Sequence, residues 1–290
     1  MTARLSDRIQ QFYDASSSLW EQVWGEHMHH GYYGPEGNLK KDRRQAQIDL
    51  IEELLAWGMG KENISETSTS PASILDVGCG IGGSTLYLAD KFNATATGIT
   101  LSPVQATRAT ERSREAGLSE RANFLVADAL DLPFADRSFD LVWSLESGEH
   151  MPNKIQFLQE CYRVLQPGGT FIMATWCHRP LEGPEGQLTD EERRLLAEIY
   201  RVYALPHIIS LPEYEAIALD VGFQNLRTAD WSQAVAPFWD LVIESAFDPK
   251  AILGLLASGW TTIEAALSMG LMSGGYQRGL IKFGLLCGSK

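Results

Sequence analysis

A run of small residues about a quarter of the way along the chain could bind a nucleotide-like ligand. In the segment Ser73-Ile-Leu-Asp-Val-Gly-Cys-Gly-Ile-Gly-Gly83, a short apolar strand leads into a glycine turn. Glycines remove side chains where the backbone must approach a ligand, and the helix predicted from Ser84 to Asp90 offers its free N–H groups there. The spacing Gly78-x-Gly80-x-x-Gly83 also fits dinucleotide-binding enzymes, so the motif predicts a cofactor site without identifying the cofactor.

Histidines and cysteines give weaker signals. His27, His29 and His30 are close in the sequence, but they fall in a predicted loop rather than in a helical pattern of metal ligands, so we expect no metal. The cysteines show no paired spacing, which predicts neither a disulfide framework nor a zinc site and favours a reducing compartment. They are Cys79, Cys161, Cys177 and Cys287.

Composition narrows the classes of partner. The chain has 290 residues and a formal net charge of −13, which argues against nucleic acid, since phosphate binding needs clustered Lys and Arg. We find neither an apolar N-terminal signal region nor an apolar run long enough to span a bilayer. The sequence therefore predicts a cytoplasmic protein of one decorated domain. The apolar stretch 251–260 leaves peripheral membrane contact open, although a buried helix explains it equally well.

Strands and helices alternate from Ser73 to Trp176, the pattern of a parallel sheet with helices on both faces. We predict a doubly wound, mostly parallel α/β sheet of seven strands, with N-terminal helices and a helical insertion forming a substrate lid. The predicted lid is 1–58 and the core is 72–290, with helical insertions at about 180–221 and 232–272. After the first strand, the predicted strands are 94–101, 122–127, 138–144, 170–175, 222–231 and 280–288.

The glycine motif, the pair Asp128-Ala129 and the turn Leu165-Gln-Pro-Gly-Gly169 together resemble the class I S-adenosylmethionine-dependent methyltransferases. The resemblance implies S-adenosylmethionine as cofactor and an antiparallel last strand. One departure is Thr100, where many members have an acid for the ribose, so Gln105 and backbone groups share that contact in our interpretation. The cofactor contacts it implies are Asp76, Gly78, Cys79, Gly80, Thr100, Leu101, Gln105, Asp128, Ala129, Ser144 and Glu146.

Aromatic residues are frequent in the segments expected to cover the cofactor. Ligands of open α/β sheets bind beyond the carboxyl ends of the strands, where these segments would form the walls. An aromatic, apolar pocket suits a flat ring or a lipid tail better than a polar metabolite. From this set we predict substrate contacts for Tyr13, Trp20, Tyr32, Trp176 and Trp239.

Longer motifs give a narrower resemblance, to the tocopherol C-methyltransferases of photosynthetic organisms, and especially to the cyanobacterial ones. They are Phe12-Tyr-Asp-Ala-Ser-Ser-Ser-Leu-Trp20, Trp24-Gly-Glu-His-Met-His-His-Gly-Tyr-Tyr33, Gly98-Ile-Thr-Leu-Ser-Pro-Val-Gln105 and Trp143-Ser-Leu-Glu-Ser-Gly-Glu-His-Met151. The resemblance implies a prenylated phenol as substrate, with γ-tocopherol converted to α-tocopherol and δ- to β-tocopherol. Related plant enzymes methylate indole nitrogens, so an N-methyltransferase of an indole or another amine is the alternative.

Methylation of a phenol ring calls for a group that takes or shares the phenol proton. Our hypothesis assigns that role to His150 or Glu146, with the lid histidine His29 in support. Two further classes stay open from the sequence. A nicotinamide-dependent oxidoreductase shares the glycine turn but does not predict the Pro-Gly-Gly turn, and a module could bind S-adenosylmethionine without catalysis.

Overall fold

The computed structural model describes residues 2–60, 70–182, 185–246 and 260–290. Its centre is a seven-stranded sheet in the order β3-β2-β1-β4-β5-β7-β6. The strands are β1 Ser73–Val77, β2 Thr95–Thr100, β3 Ala122–Val126, β4 Phe139–Leu145, β5 Leu165–His178, β6 Gln224–Asp230 and β7 Ile281–Ser289.

The five strands from β3 to β5 in the sheet are parallel, and β7 lies antiparallel between β5 and β6. Consecutive residues of β1 point to opposite faces, so Ile74 joins one buried cluster and Leu75 the other. Because both faces of the sheet are buried, the inner strands need near-continuous apolar sequences. The predicted fold class, a mostly parallel sheet with one inserted antiparallel strand, is confirmed.

β5 begins five residues before the predicted Thr170. Leu165 already pairs with Phe139 of β4, and the register then shifts before Leu141 pairs with Thr170. The Pro-Gly-Gly turn forms this irregularity inside the strand, and Gly168 adopts φ +80°, a conformation that glycine tolerates. The sequence predicted the turn but not the strand pairing of Leu165, which precedes the turn.

Helices cover both faces of the sheet. They are α1 Thr2–Trp24, α2 Arg43–Met59, α3 Gly83–Lys91, α4 Pro103–Glu115, α5 Lys154–Val164, α6 Asp190–Val202, α7 Leu211–Val221, α8 Ser232–Val235, α9 Pro237–Ala246 and α10 Trp260–Gln277. α2 and α9 pack with one buried cluster, and α5 and α7 pack with the other. Side chains of Asp42, Ser102 and Asn153 cap α2, α4 and α5 by accepting a backbone N–H of the first turn.

α1 is fastened to α4, which follows β2. The guanidinium of Arg108 donates to both carboxylate oxygens of Glu21 at 2.8–3.1 Å, and the hydroxyl of Ser102 donates to Asp14. Arg112 donates to the backbone carbonyls of Glu26 and Ile81, which ties the loop after α1 to the glycine turn. These contacts hold the N-terminal segment against the carboxyl ends of the first strands.

None of the helices in the described ranges is both long and apolar enough to cross a membrane. The stretch 251–260 that left membrane contact open lies outside those ranges, apart from Trp260. Most of the predicted polar linker between α2 and β1 also lies outside them.

Candidate active site

A cavity with an empty volume of about 1350 Å³, part of it open to solvent, lies at the carboxyl ends of β1 to β4. One wall is the glycine turn after β1, and the opposite wall is α1 with the loop that follows it. Such a crevice is where open α/β sheets bind ligands. Ten of the eleven predicted cofactor contacts line it: Asp76, Gly78, Cys79, Gly80, Thr100, Leu101, Gln105, Asp128, Ala129 and Glu146.

The glycine turn is tightly covered from both sides. Gly78 has φ +83°, and a Cβ there would overlap the side chain of Ser147. A Cβ on Gly83, the first residue of α3, would overlap the carbonyl oxygen of Glu26. The turn can therefore keep its close approach to a ligand only as glycine.

Asp76 is a buried acid beside this turn. Its Oδ2 accepts a 2.6 Å hydrogen bond from Thr85, and the side chain lines the cavity. Burial raises the pKa of Asp76 to about 7, and the bond from Thr85 opposes this rise only in part. A cationic ligand group in the cavity would favour the charged carboxylate.

Thr100 and Gln105 form a pair at the end of β2. The Thr100 hydroxyl donates to Gln105 Oε1 at 2.7 Å and accepts the backbone N–H of Ser102 at 3.2 Å. In this pair of side chains, the amide nitrogen of Gln105 is thus the hydrogen-bond donor that is left for a ligand. At the end of β3, Asp128 Oδ1 accepts the N–H of Leu130 at 2.9 Å, which fixes the carboxylate on the cavity wall.

The other end of the cavity holds a Tyr–His pair. Tyr13 of α1 and His150, in the short 3₁₀ turn Gly148–His150 after β4, lie 2.6 Å apart between the hydroxyl and Nε2. Burial, and then the charge of Lys154, lowers the pKa of His150 to about 3, so its imidazole is neutral at pH 7. If the tyrosine hydroxyl donates to Nε2, the imidazole proton is on Nδ1, a buried atom without a hydrogen-bond partner in the described residues.

His29 also lines the cavity and is buried. Its Nδ1 donates to the carbonyl oxygen of His30 at 2.8 Å, which leaves the lone pair of the neutral ring on Nε2. Nε2 has no hydrogen-bond partner among the described residues. Burial lowers the pKa of His29 despite the nearby Glu146. His29 therefore presents an acceptor, whereas His150 presents a donor when Tyr13 donates to its Nε2.

Glu146 binds the N-terminal loop rather than leaving its oxygens free. Oε1 accepts the backbone N–H of His30 at 2.6 Å, and Oε2 accepts His30 Nδ1 at 2.7 Å and Trp176 Nε1 at 3.1 Å. Burial alone would raise the pKa of Glu146, but His30 more than offsets this and the pKa is lowered. The residue is held at φ +54°, a strained conformation for a side-chain-bearing residue, and it precedes the turn that carries His150.

Three of the predicted contacts, Ser144, Tyr32 and Trp239, do not reach the cavity wall. Ser144 lies behind it, bonded at 2.8 Å to Ser147, because alternate residues of β4 face away. Trp239 is fully buried against Trp24, His30 and Trp176, and Tyr32 packs against Trp231. The side chain of Trp20 is outside the described part of the chain. Tyr13 and Trp176 do line the cavity.

Glu149 was absent from the predicted site, yet it lines the cavity and is 1% exposed. It directly precedes the predicted His150 in the sequence, and the cap of the helix that follows is Asn153. In the described residues, no group of three His, Cys, Asp or Glu side chains is placed to hold a metal.

The sheet order, the glycine turn and the acid at the end of β3 define a class I S-adenosylmethionine-dependent methyltransferase. Residues 75–173 match the profile of methyltransferase domains. The structure resembles that of a putative sarcosine dimethylglycine methyltransferase from Galdieria sulphuraria, with TM-score 0.79, 24% identity and coverage of 96% of this chain and 98% of that one.

Sequence comparison narrows the class. The chain is 50% identical to a probable chloroplastic tocopherol O-methyltransferase of Oryza sativa subsp. japonica, over 97% of this chain and 77% of that protein. It is 46% identical to the chloroplastic tocopherol O-methyltransferase of Arabidopsis thaliana, over 98% and 82% respectively. Norajmaline N-methyltransferase of Rauvolfia serpentina is 33% identical, over 97% of both chains. The chain belongs to the tocopherol methyltransferase family, as the sequence motifs predicted.

Proposed function

We propose that this methyltransferase transfers the methyl group of S-adenosylmethionine to a ring carbon next to the hydroxyl of a prenylated phenol. The substrates are γ-tocopherol, giving α-tocopherol, and δ-tocopherol, giving β-tocopherol. One observation carries the proposal: a single cavity joins the glycine turn to an apolar, aromatic end that contains buried proton donors and acceptors. The identity to tocopherol methyltransferases supports the substrate class.

The glycine end of the cavity fits S-adenosylmethionine. The backbone at Gly78 and Gly80 is open to the methionine part, and Asp76 supplies a carboxylate for its ammonium group. Gln105 offers an amide donor near the end of β2 for the ribose, and Asp128 offers Oδ2 to the adenine amino group. When bound, S-adenosylmethionine supplies a methyl group on a positively charged sulfur, which is already a strong electrophile.

At the other end, the protein must hold the phenol and keep its ring electron-rich. A phenol oxygen both donates and accepts hydrogen bonds. His29 Nε2 can accept its proton, while Nδ1–H of His150 can donate to its lone pair. Sharing the phenol proton with His29 raises the electron density of the ring, and the fixed orientation removes much of the entropic barrier.

The structure favours a positioning role for Glu146 over the role of base. Both of its oxygens are engaged by His30 and Trp176, so it holds the N-terminal loop in place over the cavity. Through that loop, Glu146 sets the position of His29. We infer that the N-terminal segment, with Tyr13 and His29, is a lid that excludes water from the reacting atoms.

The test is methyl transfer from labelled S-adenosylmethionine to γ-tocopherol and δ-tocopherol, with an indole amine in parallel. Proton NMR of the product separates the sites of transfer: carbon methylation removes a ring hydrogen and keeps the phenol hydroxyl, whereas oxygen methylation does the reverse. The two tocopherol relatives are named O-methyltransferases, so the assay must distinguish methylation of the phenol oxygen from methylation of the ring carbon. A methyl ether as sole product, or label only in the amine, contradicts the proposal.

An N-methyltransferase of an indole or other amine is the second candidate, because norajmaline N-methyltransferase is 33% identical over nearly the whole chain. The unpartnered nitrogens of His29 and His150, which both belong to residues of the cavity wall, favour a phenol, since an amine needs an acceptor only. Peripheral contact with a membrane stays a prediction. Its basis is the proposed substrate, a prenylated phenol, which partitions into bilayers. Flotation with lipid vesicles containing γ-tocopherol tests it, and protein found only in the soluble fraction contradicts it.

A further inference from the structure

Carbon methylation of a phenol has a requirement that methylation of oxygen or nitrogen lacks. A π electron pair of the ring forms the new carbon–carbon bond, and the methyl–sulfur bond breaks with its electrons staying on sulfur. The attacked carbon then carries both the methyl group and its original hydrogen, and positive charge is shared with the phenol oxygen. Aromaticity returns only when that carbon–hydrogen bond breaks, its electrons re-enter the ring, and a base takes the proton.

We propose that the carboxylate of Glu149 is this base and removes the ring proton after methyl transfer. The inference rests on the proposed function, because it assigns the step that makes the reaction a carbon methylation. Glu149 lines the same cavity as the glycine turn and the two histidines. Its neighbour His150 contacts the opposite wall through Tyr13, so Glu149 lies close to the expected phenol site.

The side chain of Glu149 is held in place by the core. Its Oε2 accepts a 2.7 Å hydrogen bond from Thr175 of β5. The 3₁₀ turn that carries Glu149 is also held in place, because the buried amine of Lys154 donates to the carbonyl oxygens of Gly148 and Glu149 at 2.9 and 3.0 Å. Tyr214 donates a third bond, at 3.1 Å, to Gly148. A carboxylate fixed in this way is preorganised toward the cavity.

The other acidic and basic groups at this end are less suited to the step. Glu146 is committed to His30 and Trp176, and Nε2 of His29 is assigned to the phenol proton in the proposed function. Neutral His150 is a weak proton acceptor because burial lowers its pKa to about 3. Burial and the charge of Glu146 raise the pKa of Glu149 to about 7, against smaller opposing effects of Thr175 and Lys154. A base with a pKa near the working pH is the most effective one.

The experiment uses γ-tocopherol carrying deuterium on the ring carbon that is methylated. In the wild type, we expect loss of the ring proton to be faster than the step that limits turnover, so the protonated and deuterated substrates should turn over at nearly equal rates. In Glu149→Gln, turnover falls by about 100-fold or more. Breaking the ring carbon–hydrogen bond then limits the rate, so a primary isotope effect appears. A purely structural defect lowers turnover without changing the isotope ratio.

Two variants complete the design. His150→Gln lowers turnover with the isotope ratio unchanged, because it disturbs the phenol contact and not the ring proton. Glu120→Gln, on the exposed loop before β3, leaves both quantities as in the wild type. If Glu149→Gln fails to bind S-adenosylmethionine in calorimetry, Glu149→Asp, with its carboxylate withdrawn by one methylene, takes its place with the same isotope measurement.

The outcomes separate the two proposals. A wild-type enzyme that makes no ring-methylated product refutes the proposed function itself. The role of Glu149 is tested when the wild type does make that product. If a Glu149 variant then binds S-adenosylmethionine but shows normal turnover, or slow turnover without a new isotope effect, only the role of Glu149 is overturned.

Discussion

Removing the carboxylate of Glu146 should loosen the N-terminal segment from the core. The carboxylate is 4% exposed and accepts three hydrogen bonds, from the backbone and ring of His30 and from the ring of Trp176. Breaking a buried pair by deleting one partner costs about 3–5 kcal/mol, so we expect Glu146→Ala to lower the free energy of unfolding by that amount. Glu146→Gln should cost about 1–2 kcal/mol, since its amide oxygen still accepts the backbone N–H of His30.

A double-mutant cycle in urea unfolding tests whether Glu146 and His30 act as a pair. Glu146→Ala, His30→Ala and the double variant should show a coupling energy of about 2 kcal/mol, well above the roughly 0.5 kcal/mol scatter of independent sites. Trp176→Phe removes the 3.1 Å bond, worth about 1 kcal/mol, and part of a buried ring system, so it should cost more than the bond alone. Glu198→Gln, in an exposed pair with Arg201, is the control and should have no measurable effect. Additive losses in the cycle would refute the pairing.

Three further predictions concern the cofactor end. Gly78→Ala should abolish S-adenosylmethionine binding in calorimetry, because the added Cβ overlaps Ser147; binding within a few-fold of wild type contradicts this. Asp128→Ala should weaken binding by about tenfold, the worth of one hydrogen bond to a charged group, while Asp131→Ala, three residues on and exposed, should leave it unchanged. With a pKa of about 7, Asp76 is largely protonated at pH 6 and must lose that proton to bind a cation. The dissociation constant should therefore rise about fivefold from pH 7 to 6, and less in Asp76→Asn; a slope equal in both proteins excludes Asp76 as the titrating group.

The cofactor end of the cavity could be predicted from sequence because its determinants are local. The apolar residues of β1 and the glycines that follow define a strand and a turn within eleven positions. Parallel strands end at one edge of a sheet, so Thr100 and Asp128 had to lie near that turn once the strands were placed. The position of β7 between β5 and β6 required the family resemblance, since no local pattern encodes it.

The end of the cavity that contains Tyr13 and His150 was harder to predict, because its contacts join distant parts of the chain. Tyr13 and His150 are 137 positions apart, and their 2.6 Å contact depends on how α1 crosses the sheet edge. Aromatic type alone did not separate Trp176, on the cavity wall, from Trp239, in the core behind it. Both residues are apolar and buried, and only tertiary packing decides which one faces the ligand.

If α1 is the lid that we propose, its fastening to α4 adds a mechanical step to each turnover. Tyr13 and His29 share a cavity with the glycine turn, so a donor and a phenol bound there would lie beneath α1, and their exchange would require α1 to move. That movement breaks the contact between Glu21 and Arg108, whose side chains are 28% and 33% exposed. Dissolved ions screen a pair of this kind. For the proposed lid, we therefore expect higher ionic strength to speed product release and to leave the rate of methyl transfer unchanged.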